Sequence, residues 1–145
     1  MGVRRKSREL VLQMLYQADM GKQTAEQVRK TFWKERADVA EEVRDFADEL
    51  FLAASEERRA AEVTAAIEKH SQNWRMDRMA AVDRNLLRAA VTEMMVYPDT
   101  APAIIINESL EIAHKFSSPE SVNFLNGVLD SVRKSMEKST SRPKA

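Results

Sequence analysis

The chain has 145 residues, with 23 lysines and arginines against 23 aspartates and glutamates, and it contains no cysteine. This length suits one compact domain that buries a sufficient core without cross-links, and the lack of cysteine excludes disulfides, zinc–thiolate sites and cysteine nucleophiles. No apolar run is long enough to span a membrane and no signal-peptide pattern follows the start, so we expect a soluble, cytoplasmic protein without a membrane partner.

The first part of the chain is rich in helix-forming residues, and the whole sequence has only three glycines and four prolines. We therefore expect an all-α fold. Apolar residues at three–four spacing predict a first helix from about Ser7 to Met20, with Gly21 as its C-terminal cap. Thr24–Gln27 matches a capping box and predicts the start of a second helix.

The middle of the chain carries two longer apolar stripes. Asp38–Glu41 opens a third helix, and the periodic pattern continues as far as Trp74. A break near Ser55, which two acids follow, stays open at this stage. A further helix over Met79–Met94 has to end before Pro98, because a proline inside a helix removes a hydrogen bond and clashes with the preceding turn.

The last part of the chain predicts two more helices after the proline-containing linker "YPDTAP". One runs over Ile104–Phe116. The next begins at Ser118–Glu120, where a cap residue, a proline and an acid follow one another. Gly127 lies inside this helix, and we expect the close approach of another helix backbone, or of a ligand, to compensate for it.

Catalytic and metal-binding patterns are weak in this sequence. Glu111 and His114 form an i, i+3 pair of the kind that di-iron bundles use twice, but the only other histidine, His70, follows Ile67 at that spacing. No phosphate-binding glycine loop or nucleophile motif is present. We expect no enzyme activity, no metal and no cofactor.

Charge is unevenly distributed although the total is zero. The first sixteen residues hold four cations and one acid, and residues 133–145 hold five cations and one acid, so the body between them is acidic. Helix N-termini normally favour acids, and a cationic N-terminus would be completed by phosphates, to which arginine offers bidentate contacts. Solvated, disordered ends explain the same asymmetry, and both interpretations stay open.

Aromatic side chains could strengthen nucleic-acid binding, because bases of single-stranded RNA stack on them. Tyr16 and Phe124 are the candidates, with core packing as the alternative for each. Trp33 and Trp74 are interpreted as packing or helix-edge residues.

Four stretches together resemble the NusB family of bacterial transcription antitermination factors: "RRKSRELVLQMLYQ" near the start, "DRNLLRAAVTEM", "INESLEIAHKF" and "NFLNGVLD". The resemblance implies an all-α domain of about seven helices arranged as two three-helix bundles with an extra helix. We expect this domain over residues 1–136, with two subdomains meeting near residues 70–80, and a flexible basic tail over residues 137–145.

The resemblance also implies a function and partners. NusB proteins bind boxA, a short single-stranded element of nascent RNA, together with NusE, a protein of the small ribosomal subunit. The complex joins the RNA polymerase elongation complex with other Nus factors and suppresses termination, notably in ribosomal RNA operons. Some family members form homodimers, so self-association stays open. The alternative function is a helical protein–protein adaptor that does not bind RNA.

The family's site residues carry over to individual positions. The expected RNA contacts are Arg4, Arg5, Lys6, Arg8, Glu120 and Phe124, where the charge of Glu120 limits RNA affinity. Lys6 stands where a third arginine is frequent, so the charge is kept but the fork geometry is lost. Tyr16 and Asp83 fall on the NusE side. Asn107 and Glu108 fit the family pattern and are interpreted as structural.

Overall fold

The computed structural model describes residues 2–72 and 74–140, and over these residues the chain is helical, without strands. The helices are α1 (Gly2–Gly21), α2 (Ala25–Lys34), α3 (Glu41–Ser55), α4 (Glu57–His70), α5 (Ala81–Val96), α6 (Pro102–Phe116) and α7 (Pro119–Thr140). A short 3-10 helix, Met76–Arg78, precedes α5. The predicted all-α fold with about seven helices is confirmed. None of the described helices combines the length and apolar character that crossing a bilayer requires.

The buried apolar side chains form two clusters. The first cluster gathers the inner faces of α1, α2 and α3, and the second gathers those of α4, α5, α6 and α7. Leu12 of α1 belongs to the second cluster and Ala89 of α5 to the first, so α1 and α5 join the two. Along the chain, membership changes between Ala54 and Val63, before the predicted boundary at residues 70–80.

Helix α1 begins earlier than its apolar stripe predicts. It starts at Gly2 instead of near Ser7, so the four cations lie within its first turns. The buried Ser7 hydroxyl donates hydrogen bonds to the carbonyls of Val3 and Val43, at 3.1 Å and 2.9 Å, and so ties this end of α1 to α3. Helix α1 ends at Gly21, close to the predicted C-terminal cap, and the residue with a positive φ at this end is Lys22, at 54°.

The predicted capping box is confirmed at α2. The Gln27 N–H donates to Thr24 Oγ1 at 3.2 Å, and the Thr24 N–H donates to Gln27 Oε1 at 2.9 Å. The open question at Ser55 is also answered, because α3 ends there. Glu56 caps α4 by accepting from the N–H groups of Arg58 and Arg59.

Helix α7 begins at Pro119 as predicted and passes through Gly127 to Thr140, beyond the predicted start of the tail at residue 137. Residues 141–145 of that predicted tail lie outside the described residues. None of the described helices packs closely on Gly127, since a Cβ atom there would meet no heavy atom of the described residues within 4 Å. The expected helix contact is therefore wrong, and the glycine opens onto free space.

Candidate nucleic-acid interface

Arg8 is directed into the protein and not toward solvent. Its Nε and Nη2 donate to the two carboxylate oxygens of Glu93 on α5, at 2.9 Å and 2.6 Å. Arg8 is 7% exposed and Glu93 is 1% exposed. A bidentate pair of this kind satisfies both charges without an outside anion, so Arg8 joins α1 to α5.

Arg5 is paired in the same way with Glu108 of α6. Its Nε and Nη2 donate to the carboxylate at 3.0 Å and 2.6 Å, and Glu108 also lies 3.7 Å from Arg8 Nη1. The hydrogen bonds from Arg5 lower the pKa of Glu108 below its usual range. The residues Arg5, Arg8, Glu93 and Glu108 thus form an arginine–glutamate cluster that holds α1, α5 and α6 together. The structural interpretation of Glu108 agrees with this contact.

Arg4 and Lys6 lie outside this cluster and are exposed. The Arg4 Cζ atom is 3.8 Å from the ring centroid of Phe46. This cation–π contact orients the side chain but does not neutralise its positive charge. Lys6 borders a shallow cleft beside Arg36 and Asp38. Within the described part of the chain, neither Arg4 nor Lys6 has a carboxylate at ion-pair distance, so both are available to a phosphate.

Phe124 and Glu120 lie together near the start of α7. Both border a cleft of about 410 Å³ that Trp74 and Arg78 also line. Phe124 is half-buried and packs against the second cluster, and Glu120 is exposed. Phe124 therefore packs against the core and also borders the cleft, and neither of the two sequence interpretations excludes the other.

Asp83 is buried near the start of α5. Its two carboxylate oxygens accept hydrogen bonds from the hydroxyls of Ser117 and Ser121, each at 2.8 Å. These bonds connect α5 to the turn between α6 and α7. Asp83 thus fixes that turn, and its carboxylate has little surface for a direct contact with a partner.

Tyr16 is 41% exposed and borders an apolar groove of about 490 Å³. Met20 and Phe116, two further exposed apolar side chains, line the same groove. Exposed apolar side chains that border one groove mark interaction surfaces more often than isolated ones do.

The predicted site residues form two groups at different levels of the fold. Asp83 and Glu93 are ten residues apart on α5, which places them about 15 Å apart along its axis. The cations of α1 lie at the Glu93 level, whereas Glu120 and Phe124 share a cleft with Asp83. A single nucleotide is too short to contact both groups, so a nucleic-acid ligand that contacts both would have to be a segment of several nucleotides.

Two residues of this region escaped the sequence interpretation. Glu93 was not singled out, although an acid inside the apolar stripe of α5 was a signal that it needs a buried cation. Trp74 was interpreted as packing or helix edge, yet it is 55% exposed. Trp33 is buried as expected. Among residues 2–72 and 74–140, no three histidine, aspartate or glutamate side chains gather as metal ligands.

Comparison with known proteins connects this geometry to one family. The NusB family profile matches residues 5–134. The transcription antitermination protein NusB of Koribacter versatilis (strain Ellin345) is 62% identical over 136 residues, covering 94% of this chain and 92% of that protein. NusB of Sorangium cellulosum (strain So ce56) is 42% identical over 94% of this chain and 95% of its own length.

Solved structures give the same result for the fold. A crystal structure of antitermination factors NusB and NusE in complex with dsRNA matches with a TM-score of 0.83 and 25% identity, over 93% of this chain and 98% of that one. The crystal structure of T. maritima NusB matches with a TM-score of 0.82 and 26% identity, over 94% of this chain and 96% of that one.

Proposed function

This chain belongs to the NusB family, and from that membership we propose that it binds boxA-type single-stranded RNA together with NusE. In this function it joins the RNA polymerase elongation complex with other Nus factors in the cytoplasm and supports transcription of ribosomal RNA operons. The family consists of non-enzymatic antitermination factors. The observation that supports the proposal most strongly is the match, over 93% of this chain, to a structure that holds NusB and NusE in complex with dsRNA; the single-stranded boxA element is the finer part of the proposal.

The open residues of the two groups are the proposed RNA contacts. Arg4 and Lys6 supply unpaired positive charge for phosphates, and Phe124 supplies a ring face for a base. Glu120 borders the same cleft as Phe124, and its negative charge limits the attraction of RNA there. We assign Arg8 to holding the fold, whereas the partly exposed Arg5 can approach RNA only from its pair with Glu108.

The groove around Tyr16 is the proposed NusE surface. Its apolar lining offers area that a partner can bury, and the acidic body of the chain complements a basic ribosomal protein. Asp83 contributes indirectly, because it holds the turn that directly follows Phe116 of the groove. The same groove is the observation that favours the alternative function, an adaptor that binds proteins and ignores RNA.

A mobility-shift experiment tests the proposal and separates it from the adaptor. A boxA-like RNA is titrated with this chain alone, with NusE alone and with both proteins at moderate salt. We expect the strongest shift with both proteins, and a weaker one at higher salt because phosphate contacts release counterions. Binding of NusE without any RNA shift would support the adaptor and contradict the proposal.

A further inference from the structure

A cleft between the end of α4 and the start of α7 is separate from the predicted cationic contacts. It has a volume of about 430 Å³ and is lined on one side by Lys69, His70 and Trp74, and on the other by Asn123, Phe124 and Gly127. We propose that this cleft holds one unstacked base of the bound RNA, with the ring of Trp74 as its stacking surface. This inference rests on the proposed RNA binding and names a contact within it.

The backbone that carries Trp74 is fixed although its ring is exposed. The buried Ser71 hydroxyl donates to the carbonyl of Trp74 at 2.7 Å, and the Trp74 N–H donates to the Ser71 carbonyl at 3.1 Å. Glu68 fixes the backbone two residues after Trp74 by accepting from the Met76 N–H at 2.9 Å. A large ring held in solvent on an ordered turn loses little conformational freedom when it binds a flat ligand.

Gly127 makes room for a ligand on the opposite wall. Among residues 2–72 and 74–140, a Cβ atom at this position would meet nothing within 4 Å, so no described atom demands a glycine. Its φ is not positive either, so the backbone does not require glycine. A glycine inside a helix costs about 1 kcal/mol relative to alanine. The missing side chain leaves this wall of the cleft open, so a side chain longer than a methyl group at position 127 would reduce the space for a ligand.

The polar groups around the cleft suit a base better than an aliphatic side chain. Lys69 and Asn123 are exposed at its border, and His70 Nδ1 lies 2.7 Å from Ser131 Oγ. Amide and imidazole groups bind base edges by hydrogen bonds, while aromatic rings stack on base faces. Phe124 lines both this cleft and the one beside Glu120, so the base position is continuous with the proposed RNA surface.

The first experiment combines a substitution of Trp74 with the removal of single bases from the RNA. Affinity for a boxA-like RNA, in the presence of NusE, is measured for the wild type and for Trp74→Ala, with Leu52→Ala as a matched change of an exposed apolar residue elsewhere. Each RNA position is also made abasic in turn. We expect Trp74→Ala to weaken binding about 5- to 150-fold, the range for one stacked base, and one abasic position to cause no further loss in that variant.

The second experiment fills the cleft without weakening the fold. Gly127→Leu replaces a poor helix former with a good one and projects a side chain into the free space, whereas Gly127→Ala adds only a methyl group. We expect both variants to melt no lower than the wild type, and only Gly127→Leu to bind RNA about as weakly as Trp74→Ala.

Three results separate the possible failures. Wild-type protein with NusE that shows no RNA binding overturns the proposed function and this inference together. Normal RNA binding by Trp74→Ala and Gly127→Leu overturns this inference alone. Quenching of Trp74 fluorescence by NusE without RNA, and none by RNA, would make the cleft a protein contact and also overturn it. Trp33 is buried, so Trp74→Phe identifies the fluorescence change that belongs to Trp74.

Discussion

The starts of α1 and α7 both carry residues that the sequence assigns to RNA, yet they are built in opposite ways. At α1, Arg5 and Arg8 are bound to carboxylates of α6 and α5. At α7, Phe124 borders two open clefts together with Trp74. Two of the four cations of α1 thus hold helices together, while the start of α7 offers side chains that border open clefts. Burial and ion pairing, more than residue type, distinguish the residues that hold helices together from those that are open to a ligand.

The largest expected effect is a loss of stability when the buried ion pair between Arg8 and Glu93 is broken. Glu93→Ala leaves the buried guanidinium of Arg8 without its main partner, and breaking a buried pair costs about 3–5 kcal/mol. We expect a loss of that size in the free energy of unfolding, measured by urea denaturation.

The matched control for Glu93 is Glu35→Ala. Glu35 lies 3.9 Å from Arg36 in an exposed pair, and such pairs contribute about 0–1 kcal/mol. Equal stability losses in the two variants would show that the Arg8–Glu93 pair is not part of the core.

A smaller loss of stability is expected at the start of α7, where Phe124 borders the open clefts. Phe124→Ala should lower the free energy of unfolding by about 2 kcal/mol, because the ring is half-buried and a fully buried one costs about 3–5 kcal/mol. RNA affinity should fall by more than the lost stability explains. The affinity is measured at a temperature where a melting curve shows the variant to be folded, and an unchanged affinity there would limit Phe124 to packing.

The exposed cations give the next effect. Arg4→Ala and Lys6→Ala should each flatten the slope of log affinity against log salt by about 0.7, the value for one phosphate contact on a single strand. The melting temperature of Lys6→Ala should stay close to the wild type because Lys6 has no ion pair in the described structure, whereas Arg4→Ala should melt slightly lower because it also loses the cation–π contact with Phe46. A slope that neither variant changes would remove both residues from the RNA surface.

The smallest effect is a pH dependence of the arginine–glutamate cluster. Hydrogen bonds from Arg5 lower the folded-state pKa of Glu108, so its contribution to stability is complete above the unfolded pKa of about 4.3. That contribution is lost as the pH falls through the folded pKa. Between pH 7 and pH 3 the wild type should lose more stability than Glu108→Gln, measured by urea unfolding at both values. An equal loss would contradict the assignment.

Capping motifs and prolines predicted the helix starts well, because each of these starts depends on a few neighbouring residues. The Thr24 capping box and the Pro119 start of α7 are examples, and each depends on contacts within one turn. The start of α1 was missed because contacts from Ser7 to α3 extend the helix beyond its apolar stripe. Such a contact joins residues 36 positions apart.

The site was harder to predict than the fold for the same physical reason. The partners of Arg5 and Arg8 are 103 and 85 positions away, so the charge of α1 could be read from the sequence but its neutralisation could not. Of the two interpretations of Trp74, packing or helix edge, the structure agrees with the second, because Trp74 follows the end of α4 and is 55% exposed. The packing of Phe124 is confirmed because the partly buried ring contacts the second cluster, while its contact with RNA stays a prediction.

The most direct test of the contrast between the two regions is the double variant Arg8→Met with Glu93→Met. Replacing a buried ion pair by apolar side chains of similar size is often neutral or stabilising, so the protein should stay folded. We predict that the affinity of the double variant for a boxA-like RNA with NusE, and the salt slope of that affinity, equal those of the wild type. A folded double variant whose salt slope is flatter by about 0.7 would show that Arg8 binds a phosphate and would contradict the account.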